Sequence, residues 1–209
     1  KKFTGVDYGW PQDAIDAVLT TLLASNHLSA RIKTNPLTLA EVDQKKLGQA
    51  TFRTESPVLT AVQKLAIRKL FQEAGLPKIT PGNESGDALR FIDYAKSIAA
   101  QAGGDAPAPM APSAPELTAL ESYSGNDLLM ELHDQRDALL AKIKTWQATG
   151  KEITKRLPAF VLTEKLVAQA VGLAEQAEWS ATLTAIRANR SLLDDPDPVS
   201  HVLKAAANA

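Results

Sequence analysis

The sequence predicts a mainly α chain: a winged-helix-like N-terminal unit with a small β component, followed by a C-terminal helical bundle. Three observations predict it. Apolar residues recur at three-and-four spacing over most of the chain, as on the buried stripe of an amphipathic helix. Only two short runs, Leu28 to Lys33 and Ala50 to Glu55, alternate apolar and polar side chains in the manner of half-buried strands. One low-complexity stretch, GGDAPAPMAPSAP from Gly103 to Pro115, separates the two regions.

The first helix is expected from Pro11 to Asn26. Proline suits the first helical position, where its missing N–H costs nothing, and Trp10 before it is placed to act as a staple. Ile15, Val18, Leu19, Leu22 and Leu23 share one face, which should be buried together with Trp10 and Phe52. Asn tolerates the left-handed cap conformation, so Asn26 is the expected stop. Helix, strand, polar excursion and strand then follow in the order of the second half of a winged helix. Thr60 to Ala74 reads as a helix ended by Gly75, with Leu65 and Ile67 as core neighbours of the first unit. After the turn at Pro81-Gly82-Asn83, either Asn83 or Ser85 can cap a helix running to Ala102.

The Ala/Pro stretch cannot build a core and favours an extended spacer. The expected division is therefore a domain over 1–102, a linker over 103–116 and a helical domain over 117–209. In the last, a long helix should begin near Ser124 and carry Leu129, Leu132, Leu139, Leu140, Ile143 and Trp146 inward. Gln135-Arg136 interrupts its stripe, which argues for a small bundle over a strict coiled coil. Gly150 permits a break, and Pro158 should end the helix, since the residue before proline avoids the helical region. Thr163 is the expected cap of the next helix, with Val167, Val171 and Ala174 inward. A further helix over 178–189 should bury Trp179, Leu183 and Ile186. The acidic break at Asp194-Asp195-Pro196-Asp197-Pro198 precedes a short last helix.

Bulk properties narrow the function. With 209 residues and 44% apolar, the chain can bury a real core. A net charge of -1 draws it globally to neither nucleic acid nor membrane. Residues 1–102 hold 13 Lys/Arg and 10 Asp/Glu, whereas residues 103–209 hold 10 and 14, so a basic patch is expected only in the first half. Cysteine is absent, which excludes disulfides and thiolate metal sites and suits the cytoplasm. No apolar run approaches the roughly 18 residues of a membrane span. The chain opens at Lys1-Lys2-Phe3 without an initiator methionine and reads as a piece of a longer protein.

Tyr8-Gly9-Trp10-Pro11, the DAIDAVLTTLLASNHL that follows and Thr51-Phe52-Arg53-Thr54-Glu55 together resemble a C-terminal region of the large P-loop ATPases of BREX phage-defence systems (the BrxC/PglY type). Leu192-Leu193-Asp194-Asp195-Pro196-Asp197-Pro198 is a weaker second echo. The resemblance implies antiviral defence and partners among other BREX components or other copies of the ATPase. It also implies that ATP and magnesium belong to a part of the protein not contained in this sequence. No G-x-x-x-x-G-K-[ST] loop or Gly-rich dinucleotide fingerprint occurs here. The expectation is thus a non-catalytic interaction and assembly module with no cofactor of its own.

Other chemistry is sparse. His27, His133 and His201 lie far apart and show no metal-ligand spacing. His27 falls at a helix end, where an imidazolium can meet free carbonyls. His133-Asp134 are helix neighbours that should not face one another. The three aspartates near the C-terminus read as a surface turn. No residue qualifies as catalytic or metal-binding. The alternative function is DNA contact. The helix before the first strand contains no Lys or Arg and carries Asp13 and Asp16, so it is a poor reader of base edges. Arg31, Lys33, Lys45, Lys46 and Arg53 on the expected wing are the candidates for non-specific contact with a nucleic-acid backbone.

Overall fold

A computed structural model describes residues 9–80 and 82–209. Tyr8 of the resemblance motif and Pro81 of the expected turn lie outside the described residues. The described chain is mainly helical, with one small antiparallel sheet, as the periodicity predicts. The described residues divide into two compact units: those up to Tyr94 with 116–140, and residues 95–115 with 141–209. The division cuts across the boundary expected from composition. Two helices, α4 (Glu84–Gln101) and α7 (Arg136–Gln169), carry residues of both units.

In the first unit α1 spans Gln12–Ala24, and Asn26 ends it in the left-handed region at φ 58°. Strand β1 (Leu28–Ile32) pairs antiparallel with β3 (Thr51–Thr54), Ser29 opposite Arg53 and Arg31 opposite Thr51. A two-residue β2 (Asn35–Pro36) adds to the other edge of β1. The polar excursion is not a plain extended wing. It holds a 3-10 turn at Leu39–Glu41 and a short helix α2, Gln44–Gln49. Asp43 caps α2 by accepting from the Lys46 amide at 2.7 Å, and Leu47 anchors it at 5% exposure. Lys45 and Lys46 therefore stand on a helix.

The predicted core around α1 does not form. Trp10 is 48% exposed, Val18 is exposed, and Ile15, Leu19, Leu22 and Phe52 are only half-buried. Leu65 is also exposed, while Ile67 is fully buried. The reason is area. Three short strands and α2 are too small to cover the α1 stripe. The core of the unit lies instead among α3 (Ala61–Ala74), the first half of α4, α5 (Pro115–Leu120) and α6 (Gly125–Asp134). Ile67, Phe71, Phe91, Leu117, Leu129 and Leu132 are sealed from solvent there. The Phe71 and Phe91 rings sit 4.9 Å apart in a tilted contact. Thr60 and Gln63 close α3 with a reciprocal capping box, and Gly75 ends it at φ 87°.

In the second unit α7 runs through both Gly150 and Pro158 without ending. A Cβ at Gly150 would meet the Gln101 carbonyl at 3.1 Å, so the glycine serves close helix packing. Pro158 removes one backbone hydrogen bond, at a typical cost of about 3 kcal/mol in a helix interior. The buried stripe of Ile153, Phe160, Thr163 and Val167 passes through this stretch and carries the helix across. Thr163 is accordingly an interior residue bonded to the Ala159 carbonyl, and Val171 and Ala174 are exposed beyond the helix end. Helix α8 (Gln176–Asn189) buries Trp179, Leu183 and Ile186 as predicted, and α9 (Ser200–Asn208) adds Val202.

The Ala/Pro stretch is no free spacer. Ala108 belongs to the core cluster with Phe160, Leu183 and Leu192. Arg190 donates to the Gly104 and Ala108 carbonyls at 2.6 and 3.1 Å, and the Leu192 amide donates to the Pro107 carbonyl. Proline removes backbone donors but leaves carbonyls, and arginine supplies the missing donors.

Candidate functional site

The first unit holds a cleft of about 580 Å³ lined by the sheet and its neighbours. Strand residues of both faces line it, and alternation along β1 and β3 sorts them. Ser29, Arg31, Thr51 and Arg53 share one face, while Ile32 and Phe52 stand on the opposite one. The other walls come from the β2 turn, the start of α4 at Asn83, Ser85 and Gly86, and the start of α6 at Ser124 to Asp127.

Of the five cations singled out from the sequence, Arg31, Lys33 and Arg53 line this cleft; Lys45 and Lys46 are not in its lining. None of the three cleft cations has an ion-pair or hydrogen-bond partner among the described residues. Lys33 is held at φ 57° in the turn between β1 and β2.

Two carboxylates share the cleft, Glu55 and Asp127. Glu55 Oε2 accepts from the Asn126 amide at 3.1 Å and so takes the place of a side-chain cap on α6, which Ser124 does not supply. Gly125 is required at this point, because its φ is +59° and a Cβ would fall 2.5 Å from the Glu55 carboxylate. Asn126 is fully buried and donates to the Asn26 and Pro57 carbonyls at 2.8 and 2.7 Å, tying helix α6 to the end of α1. Its Oδ1, and Nδ2 of Asn26, remain without partners among the described residues. Sequence reading named Asn26 only as a helix stop and missed its pairing with Asn126, because a buried amide pairing over 100 residues of chain leaves no local pattern.

The other titratable candidates remain scattered. His27 Nδ1 lies 2.8 Å from Ser25 Oγ on the surface. His133 Nδ1 does reach Asp134 Oδ1, at 3.0 Å, contrary to the expectation that helix neighbours point apart; Asp134 is the last residue of α6, where the backbone leaves the helix. That carboxylate is 64% exposed, and the pair lies on open surface. Asp197 accepts from the Val199 amide at 2.9 Å in the turn before the last helix. Glu41 has a clearly shifted acidity: its pKa falls below the ordinary 4.5, chiefly through the Thr38 hydroxyl and then the Thr38 amide, with Lys46 adding a smaller pull. Among the described residues no group of three or more His, Asp or Glu is placed to hold a metal ion. No described helix is long and apolar enough to cross a membrane.

No protein-family model matches the chain, and comparison with curated proteins and with solved structures gives no significant match.

Proposed function

We propose that this chain is a non-catalytic interaction and assembly module of a BREX-type defence ATPase, docking other copies of that ATPase or other components of its system. The observation that supports this reading is α1. It carries an apolar stripe, yet none of its residues is buried, and Trp10 and Val18 stand 48% and 47% exposed. A helix that leaves an apolar stripe only partly covered retains surface for a partner. Aromatic residues such as Trp10 are also the usual anchors of protein interfaces.

The test is association. Light scattering over a concentration series reads self-assembly, and pull-down with the purified methyltransferase, phosphatase-like and accessory proteins of a BREX system reads partner docking. Replacing Trp10 and Val18 by serine should abolish the interaction that the wild-type chain shows. An interaction that survives those changes, or a chain that engages none of these proteins, overturns the reading.

Backbone contact to DNA is the competing reading, carried by Lys45 and Lys46 on α2 together with Arg31, Lys33 and Arg53. It predicts retention on DNA at physiological salt that is lost on reversing the charges of Lys45 and Lys46.

A further inference from the structure

We infer that the cleft over the sheet is a binding site for a phosphate ester of about nucleotide size. The chain has eight arginines. Six of them, Arg68, Arg90, Arg136, Arg156, Arg187 and Arg190, are already engaged with carboxylates or carbonyls of the protein. The remaining two are Arg31 and Arg53. They stand on the same face of one small sheet, on a diagonal of the β1–β3 ladder, and both line the cleft. At such a diagonal the Cβ atoms are roughly 7 Å apart, close enough for two guanidinium groups to grip one anion.

Like charges near one another on a sheet face repel, and an anion bound between them relieves that repulsion. Guanidinium groups present paired donors that match phosphate oxygens, and Ser29 and Thr51 place two hydroxyls on the same face. Lys33 adds a third cation to the lining. Such a set offers more donors than the two oxygens of a carboxylate can use, and it suits the three free oxygens of a phosphate monoester. The two carboxylates of the lining do not cancel it. Glu55 is committed to the first turn of α6, and three cations outnumber two carboxylates.

The rest of the cleft has room for the organic part of the ester. Its volume of about 580 Å³ falls within the usual range of small-molecule sites. Leu28, Leu37, Leu39, Leu89 and Leu128 contribute apolar lining, and Asn26 and Asn126 hold unspent hydrogen-bonding capacity beside the unspent charge. Arg31 and Arg53 stand on the face of the sheet opposite Phe52 and Ile32, and the inference makes no use of Trp10 or Val18.

Calorimetric titration of the full chain at low ionic strength tests the site. The probes are inorganic phosphate, a nucleoside 5′-monophosphate, and a single-stranded octanucleotide with and without a 5′-phosphate. The monophosphate or the phosphorylated octamer should bind saturably, and added salt should weaken binding. Tighter binding of the monophosphate identifies a free nucleotide as the source, and tighter binding of the phosphorylated octamer identifies a strand end. Arg31→Gln combined with Arg53→Gln should weaken binding by about tenfold or more, whereas Lys45→Gln with Lys46→Gln should leave it unchanged. Arg53→Lys, which keeps the charge and loses the fork, should give an intermediate loss. Both arginines are exposed, and an unchanged circular-dichroism spectrum confirms that the variants fold. Absence of saturable binding by every probe up to about 10 mM, a range of only a few kcal/mol of affinity, overturns the inference. So does binding that persists in the folded double-arginine variant, or that depends on Lys45 and Lys46.

Discussion

The two halves of the first unit are held together by different physics. In the helical half, α3, α5, α6 and the start of α4 close over Phe71, Phe91, Leu117 and Leu129, all fully buried. In the half from Trp10 to Glu55, Ala30 and Leu47 are the buried apolar residues, and the larger side chains of α1 remain half-exposed. What ties this half down is polar. Asn126 donates to the Asn26 carbonyl, Lys64 Nζ donates to the Ser25 carbonyl at 2.6 Å, and Glu55 caps α6. Apolar burial thus supplies a rigid base, and a few hydrogen bonds hang a thinly packed sheet from it. Surfaces that bind are commonly drawn from the less stable parts of a fold. Here the partly covered α1 stripe and the arginines of the cleft belong to the thin half, while the starts of α4 and α6 complete the cleft wall.

Substitutions can break that contrast. Phe71→Ala should have the largest effect, about 3–5 kcal/mol in a denaturant melt, because a fully buried ring is lost from the closed core. Asn126→Ala should come next. It removes the donors of two carbonyls at the junction, and each buried polar group left unpaired costs about 1–3 kcal/mol. Leu22→Ala, by contrast, should cost about 1 kcal/mol, near the average for point substitutions. If it instead costs as much as a fully buried leucine, about 2–5 kcal/mol, the sheet half has a core and the contrast fails.

The smallest effect is a titration. The Glu41 pKa is lowered, so its carboxylate interaction contributes stability above pH 4.5 and loses it as pH falls through the lower folded value. A Glu41 midpoint below 4.5 by NMR, returning to the ordinary value in Thr38→Ala, is expected. An unshifted midpoint in the wild type would show that the Thr38–Glu41 box is open in solution.

Much of the helical architecture was legible because it depends on local signals. Thr60 with Gln63, Gly75, and the spacing of Trp179, Leu183 and Ile186 each specify a boundary or a face without help from distant residues. The strands were legible for the same reason. What failed depended on partners elsewhere in the chain. The α1 stripe is a sound helix signal, but its burial required an area of sheet that Leu28–Ile32 and Thr51–Thr54 do not provide. Pro158 should stop an isolated helix, and it does not because the Ile153 to Val167 stripe is packed on either side of it. The Ala/Pro segment lacks bulk for a core, yet its bare carbonyls suit Arg187 and Arg190. Of the candidate site, the residue types were visible as Arg31, Lys33 and Arg53. Their separation from Lys45 and Lys46 was not, because it follows from Asp43 nucleating a helix in place of a wing.

Native-state amide hydrogen exchange on the free chain tests the central claim most directly, that a thinly packed half hangs from a closed helical core. The account predicts that amides of α1 and β1 open at a lower free energy than those of α3 and α6, and that Asn126→Ala widens this gap. Equal protection across all four elements, unchanged in the variant, would contradict it.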